Sequence, residues 1–173
     1  MRITILLAAA CLAPALARAQ FTLEQIMGAP FVSELTAAAK GNRIAWVARS
    51  RGVRNIYVGE GPTFQARRLT AYPSDDGQEL SDLHWTPDAA SLVYVRGSGE
   101  NPNPLSRPEG AEQALWIVPF DGGAPRRLNE GAAPAVSPKG DRVAYLKKGQ
   151  IWAMGLKDGQ TPARIVETRM PVG

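Results

Sequence analysis

From Val32 onward the chain alternates short apolar runs with clusters of Gly, Pro, Asn and Asp, and no run keeps the spacing of an amphipathic helix. That pattern predicts short strands joined by turns. Three stretches align with one another. The first is Ala39-Lys40-Gly41-Asn42-Arg43-Ile44-Ala45-Trp46-Val47, followed by Asn55-Ile56-Tyr57-Val58 and Ala66-Arg67-Arg68-Leu69-Thr70. The second runs from Trp85-Thr86-Pro87-Asp88 to Leu92-Val93-Tyr94-Val95, then Ala114-Leu115-Trp116-Ile117-Val118 and Pro125-Arg126-Arg127-Leu128-Asn129. The third runs from Val136-Ser137-Pro138-Lys139-Gly140-Asp141 to Arg142-Val143-Ala144-Tyr145-Leu146, then Gln150-Ile151-Trp152-Ala153-Met154 and Ala163-Arg164-Ile165-Val166.

Ile44, Leu92 and Val143 hold equivalent places, 48 and 51 residues apart. A four-stranded propeller blade repeats at about 40 to 50 residues. Leu92-Val93-Tyr94-Val95 is apolar on successive residues, which predicts a strand buried on both faces, as when sheets stack around a ring. The turn Ser137-Pro138-Lys139-Gly140-Asp141 supplies a Pro for its first position and a Gly for positive φ, and Thr86-Pro87-Asp88-Ala89 is a looser copy. The expected fold is therefore all-β: a partial β-propeller of about three four-stranded blades, over residues 32–80, 81–131 and 132–173. The long second hairpin, Gly97 to Gly110, reads as a surface loop. Propellers close rings of about 4 to 8 blades. Three units predict the N-terminal part of a longer, truncated protein.

Residues 20–31 form a lead-in. Thr22 and Gln25 have capping-box spacing for a short helix, Phe21 and Ile26 could staple it, and Gly28 and Pro30 stop it. Before it, Met1-Arg2 precedes an apolar run from Ile3 to Ala13, and Ala17 and Ala19 are small. Residues 1–19 read as a secretory signal peptide cleaved between Ala19 and Gln20. The run is shorter than the roughly 20 residues needed to span a bilayer, so no stable membrane anchor is expected. Acylation at Cys11 would leave a very short apolar segment behind a poor Ala8-Ala9-Ala10 lead-in, and is set aside. The chain is expected to be exported, to the periplasm or the outside.

Charge alters this picture little. The net charge of +4 falls to +2 once Arg2 and Arg18 leave with the signal. No clustered basic stripe suggests nucleic acid. Cys11 is the single cysteine, so the mature chain would rest on packing and not on disulfides.

Little chemistry is visible. Histidine occurs once, at His84, beside Trp85 where a strand begins, and reads as a packed or half-exposed structural residue. Asp75, Asp76, Glu79 and Asp82 lack the ligand spacing and central Gly of a calcium loop, and read as a solvated connection. Arg67-Arg68 and Arg126-Arg127 offer guanidinium forks suited to a carboxylate. Their recurrence at equivalent points favours a role in blade structure. Trp46, Trp85, Trp116 and Trp152 read as core residues. Catalytic, cofactor and metal residues are all expected to be none.

The segment Ser137-Pro138-Lys139-Gly140-Asp141-Arg142-Val143-Ala144-Tyr145, with Ile151-Trp152 and the closers Ala66-Arg67-Arg68-Leu69-Thr70 and Pro125-Arg126-Arg127-Leu128-Asn129, resembles the WD-like β-propeller repeats of periplasmic proteins. Phe21-Thr22-Leu23-Glu24-Gln25, Gly52-Val53-Arg54-Asn55-Ile56-Tyr57-Val58 and Asp75-Asp76-Gly77-Gln78-Glu79-Leu80-Ser81-Asp82 resemble the start of secreted bacterial serine peptidases of the prolyl oligopeptidase family, of the acylaminoacyl-peptidase and dipeptidyl-peptidase kind. The resemblance implies an N-terminal propeller that gates peptides to a C-terminal α/β-hydrolase domain carrying a Ser-Asp-His triad. This chain holds no Gly-x-Ser-x-Gly elbow. Gly97-Ser98-Gly99 has the wrong spacing, and His84 would precede the nucleophile where the family places its histidine after it. Expected partners are peptide substrates and the absent hydrolase domain. A second resemblance, to the Tol-Pal translocation protein, would make the chain a non-catalytic interaction propeller. That protein carries an extra N-terminal domain, whereas the first repeat here begins soon after the signal.

Overall fold

The computed structural model describes residues 22–99, 112–157 and 161–166. One short helix, α1 (Leu23–Met27), precedes three antiparallel four-stranded sheets. The first holds β1 (Phe31–Ala37), β2 (Arg43–Ser50), β3 (Val53–Glu60) and β4 (Arg67–Arg68). The second holds β5 (Leu80–Trp85), β6 (Ser91–Arg96), β7 (Ala114–Pro119) and β8 (Arg126–Glu130). The third holds β9 (Ala132–Val136), β10 (Arg142–Lys147), β11 (Gln150–Gly155) and β12 (Ala163–Val166). Within each sheet the strands lie in chain order. The chain is thus a partial all-β propeller, as the repeats predict.

Thr22 caps α1: its hydroxyl accepts the Gln25 N–H at 3.1 Å, and the Gln25 side chain accepts the Thr22 N–H at 2.9 Å. Ile26 is exposed among the described residues, and the staple it could form with Phe21 lies outside them. Residues 1–21, including Ala19 and Gln20, and most of the Gly97 to Gly110 connection also lie outside them.

The turn after each first strand shows how repeat chemistry becomes repeat geometry. Ala38, Thr86 and Ser137 each donate their N–H to the carbonyl five residues on, at 2.9 Å in every case. In the second and third sheets the hydroxyl of Thr86 or Ser137 also accepts the N–H of Ser91 or Arg142, at 3.0 and 3.1 Å. The side chain thereby does what a further backbone bond would do in a tight turn.

Two apolar cores lie between the sheets. The first packs Ala45, Val47, Ile56 and Val58 of the first sheet against Leu92, Tyr94 and Val118 of the second. Val93 and Leu115, on the opposite face of the second sheet, meet Val143, Tyr145 and Met154 of the third. Each residue from Leu92 to Val95 is fully buried, because the second sheet is covered on both sides. The connection from the first sheet to the second is pinned by buried Asn55. Its amide donates to the Tyr72 carbonyl at 3.1 Å, while its side-chain oxygen accepts from the Thr70 hydroxyl and the Tyr72 N–H at 2.9 and 2.8 Å.

Candidate functional site

The first strand of each sheet packs beside that of the next, β1 against β5 and β5 against β9, so these three strands form one inner wall. Each carries a one-residue bulge. Ser33 and Thr36 oppose Val47 and Ala45; Ser81 and His84 oppose Val95 and Val93; Ala132 and Ala135 oppose Leu146 and Ala144. Inside every bulge a non-glycine residue adopts positive φ: Glu34 at 57°, Asp82 at 51° and Ala133 at 49°. Their separations repeat the 48 and 51 residues of Ile44, Leu92 and Val143. Bulges re-aim side chains, and left-handed non-glycine backbone persists only where the surroundings hold it. Here one support crosses between sheets: the Glu34 carboxylate accepts the Asp82 N–H at 2.9 Å.

The bulge decides where His84 points. Leu80 and Leu83 are buried, and the extra residue between Ser81 and His84 turns His84 outward. Of the packed and half-exposed alternatives the packed one is set aside: His84 is exposed on the inner wall, beside Asp82, which is also exposed. Ser98 follows the end of β6, and from Val93, the partner of His84, to Arg96 is already roughly 10 Å of strand rise. Ser98 and His84 are thus set apart along the strand.

The acidic connection is likewise more than a solvated segment. The Arg54 guanidinium grips Glu79 with a fork of 2.7 and 3.1 Å and also bonds Asp75 at 3.1 Å. Arg96 pairs with Asp76 and lies 4.5 Å from the centre of the Tyr72 ring. The carboxylates stay partly exposed, and they tie the connection to both sheets, Asp75 and Glu79 to Arg54 on β3 and Asp76 to Arg96 on β6. Among the described residues, no group of three His, Cys, Asp or Glu side chains could hold a metal ion.

The arginine pairs divide their labour. Arg67 donates to the Phe120 carbonyl in the second sheet, and Arg126 donates to the Leu156 carbonyl in the third. The first arginine of each pair is a bracket between neighbouring sheets, as recurrence suggests. Arg127 pairs with Glu112 at 3.0 Å. Phe120 lies under two guanidinium groups, with Arg43 3.7 Å and Arg67 5.0 Å from the ring centre. A cavity of about 530 Å³ opens beside this cluster, lined by Glu60, Gln65, Arg67, Phe120 and Asp121 among others. Trp85, Trp116 and Trp152 pack against the two cores. Trp46 belongs to neither, because it lies on the face of the first sheet that turns away from the second; there it stacks on Tyr57 with ring centres 6.1 Å apart.

Solved structures with the same arrangement share little sequence with this chain. A prolyl endopeptidase is matched at TM-score 0.54 and 17% identity over 80% of this chain and 23% of that one. The β-propeller domain of the Trilobed protease from Pyrococcus furiosus is matched at TM-score 0.53 and 9% identity, over 78% and 43%. The three sheets are consecutive propeller blades. Pyrococcus horikoshii acylaminoacyl peptidase is similar at TM-score 0.54 and 14% identity, over 79% and 25%, and so is an oligogalacturonate lyase in complex with manganese at 0.54 and 13%, over 78% and 36%. This propeller segment thus spans between about a quarter and two fifths of these chains. No family model and no curated protein matches it.

Proposed function

We propose that this chain is the N-terminal propeller portion of an exported serine peptidase of the prolyl oligopeptidase family, screening peptides on their way to a C-terminal α/β-hydrolase domain. The observation that carries the reading is the inner wall. Three consecutive blades place polar or small residues, Glu34, Asp82 and Ala133, in left-handed bulges along that wall, and a similar blade arrangement occurs in a prolyl endopeptidase and an acylaminoacyl peptidase. A wall of this kind filters by size and charge without reacting. Fold alone does not assign chemistry, as the lyase with the same blades illustrates. The peptidase reading therefore also leans on the repeat motifs. A serine-reactive fluorophosphonate probe on the folded full-length gene product is expected to label it; folded protein that stays unlabelled removes the peptidase reading.

The reading includes export, with residues 1–19 as a signal and Gln20 as the first mature residue. N-terminal sequencing of protein recovered from the periplasm or medium is expected to begin at Gln20. Among the described residues, no helix is long and apolar enough to cross a membrane.

A further inference from the structure

The cavity beside Phe120 lies between the outer strands of the first two blades, away from the inner wall. Val58 and Glu60 of β3, with Gln65 and Arg67 at the start of the closing strand, line one side; Phe120 and Asp121, just beyond β7, line the other. Its first-blade side is held in shape. The Phe64 N–H bonds the Glu60 carbonyl at 3.0 Å and the Gly61 N–H bonds the Asn42 carbonyl at 2.9 Å. Phe64 itself sits in left-handed backbone at φ 48°, which persists in a non-glycine residue only where the surroundings hold it. A Cβ on Gly59 would stand 3.0 Å from the Phe64 carbonyl oxygen, so the turn packs directly on β3. A preformed cleft of about 530 Å³ falls in the range that takes small ligands.

Charge sorts the groups that line it. Arg43 and Glu60 satisfy each other at 2.8 Å. Arg67 gives one N–H to the Phe120 carbonyl, and among the described residues no carboxylate lies within 4.0 Å of it. Asp121 is exposed and, among the same residues, has no cation within that distance. Two opposite charges thus face one cavity from neighbouring blades without pairing with each other. The second boundary shows that this is not blade structure. There Arg126 repeats Arg67, but Lys157 stands in the place of Asp121, and Ser91 and Pro119 stand in the places of Arg43 and Glu60. The repeat accounts for the arginine and leaves the facing carboxylate to be explained.

We infer that this cleft binds a short peptide with free termini, its carboxylate on Arg67 and its ammonium group on Asp121. A zwitterion meets an opposite charge at each end, whereas a ligand of a single charge meets one attractive and one repulsive partner. The cleft is roomier than one amino acid requires, and each further residue of extended backbone lengthens the span by about 3.3–3.6 Å. Thr63 and Gln65 supply a hydroxyl and an amide for peptide groups, and Val58 and Phe120 supply apolar surface. The inference rests on this boundary between blades and not on the peptidase reading.

Calorimetric titration of trialanine into the folded full-length gene product tests it, with any serine nucleophile first blocked by the fluorophosphonate reagent so that the peptide is not consumed. The expected dissociation constant is about 1 mM or lower, and no binding at about 10 mM overturns the inference. N-acetyl-trialanine and trialanine amide each lack one charge and are expected to bind about fivefold more weakly. If either block leaves the affinity unchanged, the cleft does not read the termini and the inference falls. Arg67 also brackets the blades, so its half is tested on the peptide and not by mutation. Asp121 is exposed and unpaired among the described residues, and Asp121→Lys gives this boundary the charges of the second. That variant is expected to keep the wild-type melting temperature and to weaken trialanine binding at least about tenfold. Undiminished binding to it puts the peptide elsewhere and overturns the assignment. Should Asp121→Lys fail to fold, the blocked peptides on the wild-type protein still decide. Fluorophosphonate labelling is expected to be the same in wild type and variant, so the two readings fail separately.

Discussion

The boundary between the first and second blades and the boundary between the second and third are built to one plan with different materials. In both, an arginine from the closing strand bonds the carbonyl just beyond the third strand of the next blade, Arg67 to Phe120 and Arg126 to Leu156. Phe120 and Leu156 are equivalent, since their N–H groups bond the carbonyls of Ala90 and Asp141, each one residue before a second strand. At the first boundary an aromatic ring under two guanidinium groups fills the place, and residues 69–79 join the blades. At the second an aliphatic side chain fills it, and Gly131 is the sole residue between β8 and β9. The backbone bracket is thus fixed by the repeat, while the side chain under it is free to vary.

The sharpest way to break this comparison is at the shared position. Phe120→Ala is expected to cost about 3–4 kcal/mol, for a large buried ring whose cavity Arg43 and Arg67 cannot fill. Leu156→Ala is expected to cost about 2–3 kcal/mol. Urea unfolding of the two variants measures both. Phe120→Leu makes the first boundary resemble the second, and is expected to cost about 1–2 kcal/mol, the ring's stacking on the cations being lost while the bracket stays. Equal costs for the two alanine variants would show that the cations add nothing to the ring.

The second break is at the joint. Gly131 has φ 145°, and a Cβ there would stand 2.5 Å from the Leu146 carbonyl oxygen and 2.7 Å from the Tyr145 ring. Gly131→Ala is expected to cost about 2–4 kcal/mol, from backbone strain and overlap together. Gly122→Ala is the control: φ is 108° but a Cβ meets open space, so about 1 kcal/mol is expected from the backbone alone. Hydrogen exchange should show the loss at Gly131 concentrated in β9 to β11, with the first boundary protected.

What could be read in the sequence divides along the same line between repeat and joint. The second and third strands announce themselves because covered faces demand apolar residues, as in Leu92-Val93-Tyr94-Val95, and because Ser137-Pro138 and Thr86-Pro87 turns set their starts. The first strands are faint. A bulge breaks their alternation, and the residues in left-handed backbone are Glu34, Asp82 and Ala133, none of them a glycine that would have flagged the geometry. Their 48- and 51-residue spacing was present in the sequence, but it gains meaning only once the bulge is seen. Recurrence correctly assigned Arg67 and Arg126 to blade structure. Their acceptors are backbone carbonyls 53 and 30 residues away, which no side-chain pattern marks. Trp46 reads as core because it falls inside a strand, and at the matching positions Tyr94 and Tyr145 are indeed buried; its partial exposure depends on a neighbour and not on its own segment.

A smaller test compares the hydroxyls of the two buried tyrosines. Tyr94 shares a 2.7 Å bond with the Tyr72 hydroxyl, and Tyr145 accepts from the Asn129 amide at 2.8 Å. Tyr94→Phe is expected to cost about 1 kcal/mol and Tyr145→Phe about half of that, because Asn129 retains access to water. Burial holds the Tyr94 hydroxyl protonated well above its ordinary range. The unfolded chain ionises first, so stability is expected to fall as pH rises beyond about 10, and Tyr94→Phe should weaken that fall.

The smallest effect belongs to the turns that set the two boundaries in register. The Asp88 carboxylate accepts the Thr86 hydroxyl at 2.6 Å and the Ala90 N–H at 3.0 Å, and these bonds hold its carboxyl below the usual range. A depressed folded value means that the contribution is present above the unfolded value, near 4, and disappears as pH falls through the folded one. Asp88 is exposed, so solvent keeps the effect below about 0.5 kcal/mol. Asp88→Asn is expected to leave stability at pH 7 nearly unchanged and to flatten the acid limb of a thermal-unfolding series between pH 5 and pH 2 by about 1 °C, in keeping with so small an energy. In the third blade Asp141 accepts the Ser137 hydroxyl at 2.7 Å from the far end of the equivalent turn. If Asp88→Asn steepened the acid limb instead, the Thr86 hydroxyl would be held by Ser91 alone, and the turn would owe its shape to the backbone pair that Ala38 forms in the first blade without any hydroxyl.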